Sequence, residues 1–529
     1  MRRRLGPLLL FLLLSVATRA PFLSIPVLNV DESAHLTGSW ELMRGGRLYT
    51  DFVDHKPPLI YAYYALAQAL MGRGLLAVRL LTLLVALPLT ALGLSSVLAH
   101  GRRGAWAGGL FLVYGASYLA YDMQAVNGEV VMLLPAVWAL AAVRDPDRAA
   151  RLPWLACSGA LVAVAALVKP QAALWLPAVA FAAWRAAPER RAARLAALAA
   201  GTAVPLALTV ALFAAQGNLG DFLYWNLAHN LRYAANPTEA GEVLTRAART
   251  LLPFLLVTAP LWWAGLRGAR LLDAHVARLA AAALAGSAAA AFLGLRFFPH
   301  YFIQLHPPLA LLAAPVFAAW TRPRPRAALA ALGWTGAMVA GFTGASLWLY
   351  RRTDVYDETR PVFGSVAARL AADPCRGDAR LFVWGFAPGF YVSTGLRPAS
   401  RFVVPPTTLS GFVPGNRSLD AAAAGRLVRE DHWRLLIGDL ERTRATYVLD
   451  TAGAGLHHWR GYPAWRFPPL WDLLQRAYEP LADVDGVRIY RRRGCADRPS
   501  LPVLTTAGGA PILAGDRDLS LGRRGGPHP

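Results

Sequence analysis

The chain has 529 residues, 56% of them hydrophobic and 16% charged, well above and well below the values of soluble domains. That excludes a disordered protein and argues against an ordinary soluble enzyme. The net charge of +22 raises nucleic acid as a partner, but the 54 basic residues lie mostly in the gaps between long apolar blocks, which points to membrane topology and no nucleic acid.

The chain opens with Arg2–Arg4 and an apolar run over Leu8–Ala17. Arg19 and Pro21 flank the would-be signal cleavage point at Ala20, so residues 5–22 are expected to be a retained first span with the N-terminus in the cytoplasm. Residues 23–57 form a polar outer loop carrying Asp31, Glu32, Glu41, Asp51 and Asp54. Within it Leu36, Trp40 and Met43 recur at helical spacing, which predicts an amphipathic helix from Asp31 to the Gly45-Gly46 stop. The next apolar stretch, Pro58–Met71, is short for a span and suits an interfacial or re-entrant helix.

Spans are then expected over Leu75–Ala99, 105–121, 129–143, 152–168, 171–185, 194–215, 248–266, 276–295, 301–320 and 326–349. With the first span that is about eleven transmembrane helices. Arg2–Arg4, Arg102–Arg103, Arg144 to Arg151, Arg185 to Arg194, Arg267 to Arg278 and Arg322 to Arg326 fall at every second gap, the pattern of cytoplasmic loops. An α-helical polytopic domain over 1–349 is thus followed by an extracytoplasmic α/β domain over 350–495 and a flexible tail over 496–529. In the α/β domain Arg380–Trp384, Tyr447–Asp450 and Val487–Arg491 read as strands, and Ser418–Arg429 and Pro469–Tyr478 as helices. Three cysteines are too few for a disulfide scaffold or a zinc site, but Cys375 and Cys495 both fall outside, where they are able to pair.

The chemistry concentrates in the first outer loop. Asp31 is placed either to cap a helix or to act as a base. His55-Lys56-Pro57-Pro58 opens a second helix, whose positive end together with Lys56 would attract an anion such as phosphate. Only two of the 54 basic residues are lysines, Lys56 and Lys169, so each marks a position where a compact ammonium serves better than a guanidinium, or falls there by chance. Glu129 starts a span, either as an acidic end-cap or as a second carboxylate in a cavity. Lys169 is equally open to snorkelling, and Tyr301 to an interfacial role.

Asp31-Glu32 followed by His55-Lys56-Pro57-Pro58-Leu59 resembles membrane glycosyltransferases of the GT-C fold, the group of protein O-mannosyltransferases and lipid A aminoarabinose transferases. That group carries an Asp-Glu pair in the first outer loop and Glu-Lys-Pro-Pro-Leu downstream; here His55 replaces the Glu. Gln124-Ala125-Val126-Asn127-Gly128-Glu129, Lys169-Pro170-Gln171, His300-Tyr301-Phe302-Ile303-Gln304 and Val383-Trp384-Gly385 resemble its bacterial branch, glycosyltransferase family 39, across about residues 1–400. The resemblance implies a polyprenyl-phosphate-sugar donor, inverting transfer to a lipid, glycan or protein acceptor in the cell envelope, and residence in the bacterial cytoplasmic membrane. It implies Asp31 as the base with Glu32 beside it as an orienting or acceptor-binding group. It implies Lys56 as the contact to the donor phosphate, with Lys169 beside it and Arg296, His300 and Tyr301 along the donor phosphate or acceptor path, and His35, His55, Asn127 and Glu129 at the acceptor or cavity wall. No metal is predicted, since the acidic residues have no spacing that selects an ion, and no other cofactor is called. A transporter or lipid flippase is the competing reading, though it would call for a repeat and paired broken helices. A non-catalytic assembly protein working through its outer domain is the other.

Overall fold

The computed structural model describes residues 2–115, 120–186, 189–235, 240–319, 326–350, 352, 356–414 and 425–495. A helix stands at each predicted span, because each apolar block satisfies its own backbone hydrogen bonds only as a helix. Among the described residues five helices are long and apolar enough to cross a bilayer: Leu75–Val97, Arg191–Ala215, Ala240–Leu271, Ala274–Leu295 and Pro299–Ala319. Others, such as Gly128–Ala142 and Leu152–Ala166, are apolar but shorter. Leucines including Leu13, Leu208, Leu252 and Leu266 remain exposed along these helices, as surfaces that face lipid require. Gly159 and Gly201 let two helices touch, since a Cβ on Gly201 would come within 2.0 Å of the Ala156 carbonyl.

Two 14-residue helices, Val30–Met43 and Pro58–Met71, pack against each other between the first span and the second. The first begins one residue before the expected Asp31, because Asn29 takes the cap position and its Oδ1 accepts from the Glu32 amide at 3.0 Å. Pro58–Met71 forms a helix with the expected bounds, Pro57 and Pro58 forming its cap and first turn.

The chain after Tyr356 folds into a five-stranded sheet with helices on it. Its strands are β1 (Arg380–Trp384), β2 (Arg397–Pro398), β3 (Tyr447–Asp450), β4 (Tyr478–Val484) and β5 (Val487–Arg492), in the order β2-β1-β3-β5-β4. β1 is parallel to β2 and β3, whereas β5 runs antiparallel to β3 and β4. The helix expected over Ser418–Arg429 lies largely outside the described residues, and its last part, 426–429, is turn and extended chain. Helices Val362–Ala371 and Glu430–Arg442 were not anticipated; Pro468–Ala477 was, within a residue. Cys375 and Cys495 form a disulfide that joins the two ends of the domain.

The sheet domain rests on the helix Val30–Met43 and the chain that leads from it to Pro58–Met71. The Val53 amide donates to the Arg401 carbonyl at 3.0 Å, and Arg397 pairs with Glu41 at 3.3 Å. One hydrophobic core runs without a break from the membrane helices into the sheet.

Candidate active site

Because Asn29 caps the helix, Asp31 stands in its first turn with its carboxylate released from capping, and Oδ1 lies 3.2 Å from Lys56 Nζ. The Lys56 backbone is held by Tyr49, whose hydroxyl donates to the Lys56 carbonyl at 2.8 Å. A second carboxylate, Asp54, accepts from the Tyr61 hydroxyl at 2.6 Å and from the His55 amide at 2.6 Å, with His55 Nδ1 3.0 Å away. Gly38 permits this arrangement, since a Cβ there would meet the Phe52 ring at 2.7 Å and push the loop off the helix.

Electrostatics follow from this geometry. Burial alone would raise the Asp31 pKa, but Lys56 foremost, with His300 and Lys169, holds it below the usual carboxylate range, so Asp31 is ionised at neutral pH. Asp54 is held well below that range against burial by Lys56 and His55. Burial opposes the charge on Lys56, and Asp31 and Asp54 outweigh it to raise its pKa. His35 is buried, with Tyr61 and Tyr64 edge-on to its ring and neither nitrogen hydrogen-bonded among the described residues; burial, then Lys56, lowers its pKa to about 4.

Above the pair opens a cavity. Asp31, Asp54, His55 and Lys56 form its polar floor. Trp225 and His229 close one side, and Phe386, Val403–Thr407, Phe412 and Pro414 of the sheet domain form a largely apolar roof. The His55 and His229 rings lie 6.0 Å apart.

A second ionic cluster adjoins the first. Lys169 Nζ lies 2.8 Å from Glu129 Oε1 and 5.2 Å from the centre of the Tyr301 ring. His300 Nε2 is 4.0 Å from Glu129, while its amide and Nδ1 reach Asp122 Oδ2 at 2.8 and 2.9 Å. Asn29 joins the two clusters, capping the helix with Oδ1 and donating through Nδ2 to Asp122 and to Asn127, each at 3.1 Å.

Of the residues singled out from sequence, Asp31, His55 and Lys56 thus meet on the cavity floor, and Asn127, Glu129, Lys169, His300 and Tyr301 gather beside it without lining it. Glu32 lies elsewhere. Fully buried, it takes Arg79 Nε at 3.2 Å and Nη2 at 2.6 Å, and accepts from the amides of Leu28 at 3.2 Å and Val126 at 3.0 Å. Arg296 is also buried off the cavity, its carbonyl accepting from Arg246 at 3.5 Å. Asp54, Trp225 and His229 were not selected from sequence, although Asp54 immediately precedes the His55-Lys56 motif and Trp225 and His229 have the i, i+4 spacing of one helix face. Among the described residues no three His, Cys, Asp or Glu side chains converge in a geometry able to hold a metal ion.

No family model matches the chain, and no curated protein matches it in sequence. Among solved structures, ArnT from Cupriavidus metallidurans in the apo state covers 91% of this chain and 97% of its own, with a TM-score of 0.55 and 15% identity. The same protein bound to undecaprenyl phosphate covers 93% and 99%, with a TM-score of 0.53 and 14% identity. The chain has the GT-C fold. The likeness to ArnT takes in both the membrane helices and the sheet domain, so the GT-C architecture expected from the motifs extends past residue 400. At these identities it is the fold that is shared.

Proposed function

We propose that the protein transfers a sugar, with inversion, from a polyprenyl-phosphate-linked donor to an acceptor hydroxyl, in the synthesis of a cell-envelope glycan, glycolipid or glycoprotein. The observation that carries this reading is the Asp31–Lys56 pair on the floor of a cavity that a soluble-side domain roofs with apolar side chains. ArnT, which shares the fold, has been solved with undecaprenyl phosphate bound, and that supports a lipid-phosphate donor here.

Lys56 would take the donor phosphate, its compact ammonium approaching one oxygen beside the positive end of the helix that Pro58 opens. As Lys56 turns to the phosphate it withdraws from Asp31, whose pKa then rises toward that of an effective base. Asp31 removes the acceptor's hydroxyl proton, the acceptor oxygen bonds to the anomeric carbon from one face, and the bond from that carbon to the phosphate oxygen breaks on the other. The electron pair leaves with the polyprenyl phosphate, and Lys56 stabilises the charge that develops there. Lys169 and His300 reinforce the positive potential from beside the floor, and Glu129 and Asp122 fix their positions. In this reading the cavity faces outward from a bacterial cytoplasmic membrane, with the N-terminus inside, as the arginine-rich gaps require.

The test is turnover by the purified full-length chain of polyprenyl-phosphate hexoses and pentoses, followed as released polyprenyl phosphate and as the anomeric configuration of the product. Transfer with an inverted anomeric centre supports the reading. Neither transfer nor donor hydrolysis across the donor set, with binding or translocation of the lipid instead, would favour a transporter.

A further inference from the structure

Among residues that do not line the cavity, arginines gather from four parts of the chain. Arg44 ends the Val30–Met43 helix, and Arg73 sits in the Gly72–Gly74 turn between Pro58–Met71 and the next span. Arg380 and Arg397 are direct partners across β1 and β2 at the sheet edge, and Arg442 ends the Glu430–Arg442 helix. Among the described residues the ion pairs of this group involve two carboxylates. Glu41 serves both Arg44, at 3.0 Å, and Arg397, at 3.3 Å, while Asp439 serves Arg442 and also Arg401. Among the described residues Arg73 and Arg380 have no carboxylate at ion-pair distance, and Arg397 Nε is buried without a hydrogen-bond partner. Burial first, and the neighbouring arginines with it, pull Arg44 and Arg380 below the ordinary arginine pKa.

This excess of positive charge lies against the lipid-facing surface. Leu66, Leu70 and Met71 on the last turns of Pro58–Met71, Leu76 just beyond Arg73, and Met43 beside Arg44 are all exposed. The loop charges place this surface on the side of the membrane where arginine is ordinarily scarce. Five guanidiniums held together there, at a cost in mutual repulsion, call for a polyanionic partner at headgroup depth.

We propose that Arg44, Arg73, Arg380, Arg397 and Arg442 form a docking surface for the phosphate headgroups of anionic phospholipids in the leaflet on the cavity's side of the membrane. The exposed apolar side chains beside them enter the acyl region, so one lipid meets both surfaces at once. Because Arg397 belongs to the sheet and Glu41 to the outer-loop helix, lipid bound there also braces the domain that roofs the cavity. The surface is independent of the reading of the cavity as a transfer site.

The full-length protein, in neutral detergent, is titrated with phosphatidylglycerol or phosphatidylcholine, and bound lipid is counted by native mass spectrometry at low and high salt. Phosphatidylglycerol should bind at least about tenfold more tightly, with the preference shrinking as salt rises. The triple variant Arg44→Gln/Arg73→Gln/Arg442→Gln, which leaves the Glu41–Arg397 and Asp439–Arg401 pairs in place, should lose most of that preference. A control triple variant at Arg102, Arg103 and Arg270 should keep it. Equal binding of the two lipids, or an unchanged preference in the first variant while its size-exclusion profile and melting match wild type, overturns the proposal. So does binding of soluble polyglutamate, with the same arginine dependence, where phosphatidylglycerol fails to bind; that result would assign the surface to an acidic polymer. Should the first variant misfold, the single substitution Arg73→Gln in the exposed turn carries the test, with a partial loss expected and none contradicting it.

Discussion

Replacing Glu32 with Gln should destabilise rather than merely inactivate the protein. The carboxylate accepts from Arg79 Nε and Nη2 and from the amides of Leu28 and Val126, all donors. A glutamine offers one acceptor oxygen and turns its NH2 toward those donors, while the Arg79 guanidinium, itself buried, loses its only ionic partner among the described residues. Breaking one side of such a buried pair costs about 3–5 kcal/mol. With an unfolding entropy of about 2 cal/mol/K per residue, a cooperative unit of this size should melt roughly 3–5 °C lower. Tryptophan fluorescence melting in detergent measures the shift. The double variant Glu32→Gln/Arg79→Met, which removes the stranded charge, should recover much of it. If Glu32→Gln melts as wild type yet transfers no sugar, Glu32 belongs to the chemistry and its assignment to the frame is wrong.

Three further outcomes follow from the geometry. Opening the Cys375–Cys495 disulfide, whose cysteines are 120 residues apart, should destabilise the sheet domain by about 4–5 kcal/mol on the chain-entropy account, seen as faster proteolysis on adding reductant or in the double alanine variant. His35 titrates near 4 in the fold and near 6.5 when unfolded, so its contribution is whole above pH 6.5 and falls away between 6.5 and 4, up to about 3 kcal/mol. Melting from pH 7.5 to 4.5 should therefore drop more steeply in wild type than in His35→Phe, and equal slopes would deny that His35 is held neutral. Lys56→Ala should lower transfer at least about tenfold below donor saturation, and Lys56→Arg by a similar factor if the point contact with phosphate matters; near wild-type rates in Lys56→Ala would remove the lysine from the mechanism.

Much of the fold was legible because its signals are local. Apolar blocks interrupted by arginine clusters mark the long helices, and the proline pair at Pro57-Pro58 marks the start of the helix Pro58–Met71. β1, β3 and β5 are short aromatic and β-branched runs, and each appears where expected. β2 has two residues and β4 carries Pro480 and the acidic Glu479 and Asp483, so neither has a strand-like sequence; both are strands because a neighbour pairs with them. The Asp31–Lys56 pair was legible because both members lie in one loop. The place of Glu32 was not, since adjacency to Asp31 suggests a shared role while the partner that settles its place, Arg79, is 47 positions away. Successive helix residues point about 100° apart, so Asp31 faces the cavity and Glu32 the interior. The roof from Phe386 to Pro414 carries no motif, being apolar chain that becomes a wall only when the sheet domain docks.

The central claim, that Asp31 is the base of a sugar transfer, is tested most directly by the rate of Asp31→Asn on a polyprenyl-phosphate sugar that the wild-type protein uses. Asn29 holds the cap, so the helix should survive the substitution and melting should stay within a few degrees of wild type. Transfer should fall by at least about 100-fold with donor binding retained through Lys56. A folded Asp31→Asn protein that transfers sugar at the wild-type rate would contradict the account.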